Sequence, residues 1–271
     1  MKCDLHLHST FSDGKLTPEQ LVNEQFKKGL NCIAVSDHDT VDGIVFAQKS
    51  AQGKLQVIPA VELSAYENDK EVHVLAYNVD FQNKDFLAEM ERVQSFRNNR
   101  NELMAQKLLE HGFNVNYEQM KAQKGGVIGR PDFAKELIKA KVVKNVNEAF
   151  DKYLGKGKSC YVKAQRLTPA EAIKLALKFG GIPVLAHPKS LKMSNAKFES
   201  FLKRLIKEGL VGIEADYFSH NMIERNFYRK MAKKYDLIVT GGSDYHDEKH
   251  GAPLGKSFSP NDYTKLILGI K

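Results

Sequence analysis

Seven short apolar runs, separated by stretches of helical spacing, restrict the fold of this chain more than any other feature of its sequence. The runs are CDLHL (3–7), CIAVS (32–36), VIPAVEL (57–63), VHVLAYNV (72–79), IPVLAH (182–187), VGIEADY (211–217) and LIVTGGS (237–243). Their hydrophobicity is near-continuous rather than alternating, as expected of strands covered on both faces of a parallel sheet. The intervening stretches open on helix-start signals. Thr17-Pro18-Glu19-Gln20 and Thr168-Pro169-Ala170-Glu171 each place Thr at the N-cap, Pro at the first helical position and Gln or Glu three residues after the cap. Alternating strand and helix predicts an α/β fold, and 271 residues is within the range of one β/α barrel with an insertion.

One segment breaks the alternation. Phe86, Met90, Val93 and Phe96 recur at helical spacing, Leu103, Leu108 and Leu109 continue the pattern, and His111-Gly112 stops it. A second helix is expected after Pro131, through Phe133, Leu137 and Ile138, and a third from about Val146 to Leu154. The division expected is a barrel from 1–85 and 160–271, with 86–159 as a helical insertion. Two domains in tandem would leave the second half only three strands, too few to close a barrel of its own.

Composition narrows the class of protein. Apolar residues make up 42% and charged residues 27%, with no low-complexity tract, which excludes a disordered or fibrous chain. Cys3, Cys32 and Cys160 are widely spaced and form no C-x-x-C pair, so neither a disulfide framework nor a thiolate zinc site is expected. There is no apolar run long enough to cross a bilayer, and the polar start argues against a signal peptide. The expected compartment is the cytoplasm, with no membrane contact and no obligate protein partner. An excess of 41 Lys and Arg over 33 Asp and Glu, +8, suits anionic partners such as phosphates or nucleic acid.

The chemistry lies at the ends of the runs. His6 and His8 close the first, two residues apart and hence on one strand face, here read as inward. Asp37-His38-Asp39 follows the second, Glu62 ends the third, His73 lies within the fourth, His187 ends the fifth, and Asp244 and His246 follow the seventh. In a β/α barrel this rim carries the function. Taken singly each residue has a plain structural reading: a core histidine, a cap or a turn residue. Taken together, six of nine histidines with adjacent carboxylates would cost several kcal/mol if buried without partners. A metal cluster removes that cost. Imidazole and carboxylate donors without thiolate suit Zn, Mn or Fe and do not discriminate among them.

The motifs HLHSTFSDG, SDHDT, AVELS, HVLAY, AHP and GGSDYH, in this order, resemble the PHP family, named for its polymerase and histidinol phosphatase members. The helical segment and the GRPDFA and LGKGKSCYV stretches are most similar to the nucleoside 3′,5′-bisphosphate phosphatases and 5′→3′ exoribonucleases of that family. The resemblance implies a distorted seven-stranded β/α barrel holding three divalent metal ions. By the same resemblance His6, His8, Glu62 and Asp244 hold the first. Glu62 bridges to the second, completed by His73 and His187. Asp13, His38 and His246 hold the third. The implied reaction is hydrolysis of a small phosphorylated nucleotide or short oligoribonucleotide by a metal-activated water.

Further residues carry narrower expectations. Asp37, Asp39 and Ser243 are candidates to orient imidazoles, with Asp39 alternatively a helix cap. Arg97, Arg100 and Arg130 are candidates for phosphate contact, the alternative for the first two being a solvated helix face. His220 is a candidate for the leaving group, His111 reads as a helix C-terminal residue and His250 as a loop residue. Asp132 departs from the family pattern, which has His there, and would repel a second phosphate unless paired or bound to a sugar hydroxyl. The stretch Gly155-Lys156-Gly157-Lys158-Ser159 lacks the first glycine of a phosphate-binding P-loop, so an ATPase is not expected. The alternatives to the nucleotide reading are a phosphatase of histidinol-phosphate type and a non-catalytic, metal-stabilised nucleic-acid-binding module.

Overall fold

A computed structural model describes residues 1–271 except Asp69, Gly125, Gly126, Ala164 and His250, together with the side chain of Lys124. The reading of His250 therefore lies outside the described residues. The chain forms two compact units: Met1–Met90 with Leu167–Lys271, and Glu91–Arg166.

The first unit is built on a seven-stranded sheet: β1 (Cys3–Leu7), β2 (Cys32–Val35), β3 (Gln56–Glu67), β4 (Lys70–Tyr77), β5 (Ile182–Leu185), β6 (Gly212–Tyr217) and β7 (Ile238–Gly242), paired in chain order. β7 returns to β1: Asp244 donates its N–H to the His6 carbonyl at 2.9 Å, and Leu7 bridges Tyr245. The result is a nearly closed barrel. Helices α1 (Pro18–Lys27) and α2 (Ile44–Ser50) pack outside β1 and β2, where Leu21, Val22 and Ala47 meet Leu7, Ile33 and Val35. Inside, Leu5, Ala34, Ile58, Ala60, Leu75, Tyr77, Val184 and Ile238 fill the barrel, with Leu268 and Ile270 added from the C-terminal end.

Two departures from a regular parallel barrel set the site. β4 is antiparallel to both β3 and β5. Its N-terminal half therefore lies at the rim where the other strands end, which is why His73, early in β4, joins residues from strand C-termini. It pairs with Ser64 of β3 and so shares a face with Glu62. Second, β1 and β6 each carry a register shift, between Asp4 and Leu7 and between Glu214 and Asp216. An extra residue reverses the in–out alternation. Leu5 and His6 both face inward for that reason, and Tyr217 follows Glu214 into the barrel while Asp216 turns out to a two-pronged pair with Arg229 at 2.7 and 2.9 Å.

Both Thr-Pro signals start helices. Thr17 and Thr168 form reciprocal capping boxes with Gln20 and Glu171 at the heads of α1 and a later helix, Pro169–Lys178. The helical spacing after Phe86 belongs to α3 (Lys84–Glu110). Within the second unit follow α4 (Tyr117–Lys124), which the sequence pattern does not announce, α5 (Arg130–Lys139), α6 (Val146–Ala149) and a π-helical turn, Phe150–Leu154. Residues 155–159 thus follow a helical turn and not the strand a P-loop requires. This unit has its own core, in which Met104, Leu108, Phe133, Leu137, Leu154 and Cys160 are fully buried. The helices α7 (Pro169–Lys178), α8 (Asn195–Lys207), α9 (Met222–Lys234) and α10 (Asp262–Leu268) complete the first unit, with a 3-10 turn, Pro188–Leu191, after β5. Among the described residues no helix is long and apolar enough to cross a membrane.

Candidate metal centre

Glu62, at the inward face of β3, is the hub of the rim and is fully buried. Its Oε2 stands 3.2 Å from His6 Nε2, 3.2 Å from His8 Nε2 and 3.1 Å from His38 Nδ1. Its Oε1 stands 3.0 Å from His73 Nδ1 and 2.9 Å from His187 Nε2. Asp244 Oδ1 completes the first side, 3.4 Å from His6 Nε2 and 3.2 Å from His8 Nε2. Asp13 stands apart with its own imidazoles, 3.3 Å from His246 Nε2, 3.6 Å from His8 Nδ1 and 3.9 Å from His38 Nε2.

Three overlapping groups of donors result: His6, His8, Glu62 and Asp244; His38, Glu62 and His73; and His8, Asp13, His38 and His246. All nine residues expected to ligate metal converge here. His8 and His38 each turn one ring nitrogen toward Glu62 and the other toward Asp13, a sharing that strand order does not reveal.

The donors fit metal ions. His6 Nε2, His8 Nε2, His38 Nδ1 and Glu62 Oε2 are buried and have no hydrogen-bond partner, although each of the three nitrogens lies within 3.2 Å of that oxygen. Buried polar atoms in this condition are rare and costly. Donors around one four-coordinate ion with bonds of about 2.1 Å stand about 3.4 Å apart, close to the spacings seen. The carboxylates are ionised, as ligation requires. Burial opposes this, but the imidazoles of His6, His38 and His73 hold Glu62 well below the usual carboxylate range, and those of His38, His246 and His8 do the same for Asp13. Burial likewise opposes protonation of His8, yet without metal Asp244 and Glu62 push it up to about 10, so an ion bound there displaces a proton from His8, while burial takes His38 down to about 4. The backbone bends sharply where ligands leave their strands: Asp39, His187 and Asp244 all have positive φ, at 56°, 24° and 51°. Strained residues of this kind persist where the surroundings over-determine them, typically at functional sites.

A surrounding layer of hydrogen bonds aims the ligands. Glu214, fully buried in β6, takes a bond from His6 Nδ1 at 3.0 Å and from the His187 N–H at 2.7 Å. It thereby sets the tautomer that leaves His6 Nε2 facing the cluster. Sequence context assigns Glu214 no role, though an acid within a buried strand is the available signal. Tyr217 donates its hydroxyl to Asp244 Oδ2 at 2.8 Å. Asp4 accepts from the N–H groups of His6 and Ser243 and from Gln25 Nε2, joining β1 to β7 below the ligands. Glu214→Gln keeps the shape and weakens both bonds, and we expect metal affinity and kcat to fall by about 10- to 100-fold, measured by metal titration and steady-state kinetics.

The other candidate residues make bonds of their own. Asp37 reaches an imidazole through Ser12: its carboxylate accepts from Ser9 N–H at 2.7 Å and from the hydroxyls of Ser9 and Ser12 at 2.6 Å each, and the Ser12 hydroxyl lies 3.4 Å from His8 Nδ1, which holds the loop that carries His8 and Asp13. Asp39 caps no helix. Its carboxylate accepts from Ser64 N–H at 2.8 Å, and α2 begins later, at Ile44. His220 is 3% exposed, donates Nδ1–H to the Ala215 carbonyl at 2.9 Å and packs between the rings of Tyr217 and Tyr228. It braces Tyr217 and does not open onto the cluster. Asp132 is paired: it accepts from Gly129 N–H at 2.9 Å and Lys135 Nζ at 3.1 Å as the third residue of α5. His111, just past the end of α3, bonds the Lys107 carbonyl.

In the second unit, Arg100 is buried with its Nε unpartnered. Burial and the charges of Arg97, Arg166 and Arg130 push its guanidinium down to about 10. Arg97 and Arg100 therefore do not form a uniformly solvated helix face, and Arg166 joins the group unannounced by its sequence context. Arg130 lies over the rings of Phe150 and Tyr161, at 5.7 and 5.8 Å.

Residues 4–166 match the PHP domain family model, more than half of the chain. The chain belongs to the PHP family. A 5′-3′ exoribonuclease of Haemophilus influenzae is 32% identical over 257 residues, covering 94% of each chain. A 3′,5′-nucleoside bisphosphate phosphatase of Chromobacterium violaceum is 27% identical over 251 residues, covering 92% of this chain and 88% of the relative. Among solved structures, a presumptive metal-dependent phosphoesterase from Bifidobacterium adolescentis superposes with a TM-score of 0.81 at 29% identity, covering 98% of this chain and 95% of that one. PHP membership accounts for the nearly closed seven-stranded barrel and for the donor-lined rim.

Proposed function

We propose that this PHP protein removes phosphate from small nucleotides, 3′,5′-bisphosphates or short 5′-phosphorylated RNA, using three divalent ions at the barrel rim. The chain is a metal-dependent phosphoester hydrolase, and its relatives' names, exoribonuclease and nucleoside bisphosphate phosphatase, support the nucleotide assignment over histidinol phosphate or a non-catalytic binding module. One observation carries the reading: a single buried carboxylate, Glu62, with five imidazoles at 2.9–3.2 Å and four donor atoms otherwise unpartnered. His6, His8, Glu62 and Asp244 would hold one ion, Glu62, His73 and His187 a second, and Asp13, His38 and His246 a third, each Mn, Zn or Fe. Such ions supply Lewis acidity toward phosphate oxygens and bring the pKa of water toward neutrality.

The chain's own groups do the rest. Glu214, Tyr217 and Asp4 hold ligands in one geometry, and the Ser9–Asp37–Ser12 bonds keep Asp13 at the rim. Within the second unit, Arg97, Arg100, Arg130 and Arg166 form a cationic group that suits a phosphate. Arg100 is buried with its Nε unpartnered, and an arriving phosphate oxygen would satisfy that donor. Arg100→Met is expected to raise KM for bisphosphates by about 10- to 100-fold with little change in kcat. The metal-free variant should melt no lower than wild type, because one of four crowded charges is gone; kinetics and thermal melts check both.

The assignment is tested by phosphate release with Mn2+ over 3′,5′-bisphosphates, 5′-phosphorylated dinucleotides and histidinol phosphate, with Asp244→Ala and His38→Ala as controls. Turnover of the first two that vanishes in both variants is expected. Preference for histidinol phosphate overturns the substrate class, full activity in the variants overturns the metal assignment, and affinity without turnover leaves a binding module.

A further inference from the structure

A cavity of about 590 Å3 opens immediately beyond His187, starting at Pro188. Phe198, Tyr217, Phe227 and Tyr228 contribute aromatic walls, and the exposed Ile223 and Lys192 are also in its lining. The walls are mutually packed rings: Phe198 meets Tyr228 at 5.1 Å and Phe227 at 5.8 Å between centroids. At the head of α9 the side chain of Ile223, 81% exposed, is left in water beside this cavity.

Tyr217 joins the cavity to the metal centre. Its ring lines the cavity and lies 5.6 Å from the His187 ring, while its hydroxyl is bonded to Asp244. A group one sugar away from a phosphate at the cluster is therefore within reach of the aromatic walls. Charge says what kind of group. Lys189, also in the lining, has its ammonium on Glu224 at 2.9 Å and on the Ser219 carbonyl at 3.1 Å. With Glu224 neutralising it, the charge left in the lining is that of the exposed Lys192, and the aromatic walls themselves suit a flat, uncharged, stackable group. Its volume is within the about 300–1,000 Å3 of small-molecule sites.

We propose that this cavity receives the nucleobase of the substrate, stacked on Phe227 and its neighbouring rings, while the phosphate occupies the rim. The proposal rests on the phosphoesterase reading above and names a specificity site for it. Stacking on an aromatic side chain tolerates any base, so selectivity for nucleotides over base-free phosphates is expected, without strong preference among bases.

The test compares kcat/KM, with Mn2+, for a nucleoside 3′,5′-bisphosphate and for the ribose bisphosphate lacking the base. Wild type should favour the nucleotide by at least about 10-fold, Phe227→Ala should shrink that ratio about 10-fold, and Ile223→Ser, at an exposed position that leaves folding intact, about threefold. Equal turnover of the two substrates by wild type, or an unchanged ratio in both variants, overturns the proposal and leaves the phosphoesterase reading standing. Failure of wild type to hydrolyse either substrate or p-nitrophenyl phosphate overturns both.

Discussion

Glu62→Gln should lower kcat/KM for any phosphoester by about 1,000-fold, the equivalent of about 4 kcal/mol of transition-state stabilisation. The substitution keeps the size of the side chain and removes the one charge that faces all five imidazoles. An amide presents only one oxygen, so the substituted side chain cannot serve two ligand groups from its two ends, and its NH2 would point at imidazole lone pairs. Metal content per chain, measured by mass spectrometry, should fall together with activity. The metal-free variant should also lose stability, because removing one member of a buried charged group costs about 3 kcal/mol or more. For a chain of this size that is a fall in Tm of about 6–12 °C. Wild-type metal content and activity in Glu62→Gln would show that Glu62 is a packing residue and would remove the basis of the site.

Gly242→Ala should be nearly as damaging without touching any ligand. A Cβ at Gly242 would lie 2.4 Å from His6 Cβ, 2.8 Å from His6 N and 3.0 Å from His6 Cα. The obstruction includes backbone on an adjacent strand, so no side-chain rotation relieves it. β1 must move, and it carries His6 and leads directly into His8. Overpacking of this kind costs about 1–3 kcal/mol, and a displacement of about 1 Å at a reacting centre costs about 100-fold in rate. We expect a folded protein with a modestly lowered Tm and kcat reduced by about 100-fold, with metal affinity at the His6 group weakened. Circular dichroism melts and steady-state kinetics separate the two effects. Unchanged kinetics would mean that β1 tolerates the shift and that the close approach at Gly242 has no bearing on the centre.

Local features of the chain are legible in its residues. Near-continuous apolar runs locate all seven strands, because burial on both faces leaves no polar alternation to confuse with a surface strand. The Thr-Pro capping boxes start their helices where expected, because a cap satisfies N–H groups within four residues and depends on nothing distant. Most of the nine candidate ligands are visible as titratable residues repeated at run ends, with His73 inside a run and Asp13 assigned only by the family resemblance. Less legible is α4, whose apolar residues Tyr117 and Met120 pack in the second unit's core with residues distant in sequence.

Strand positions, helix starts and donor chemistry each depend on residues close together in the chain, so the order of amino acids is enough to specify them. The arrangement of the centre is not local in this way. The antiparallel course of β4 brings His73 to the rim, and the extra residues in β1 and β6 turn His6 and Tyr217 inward. The same packing gives Glu214 to His6 and Asp37 to Ser9 and Ser12. Strand direction and register are properties of the pair and not of either strand, because hydrogen bonding between neighbours fixes which residue faces which. That pairing turns scattered histidines into one cluster around Glu62.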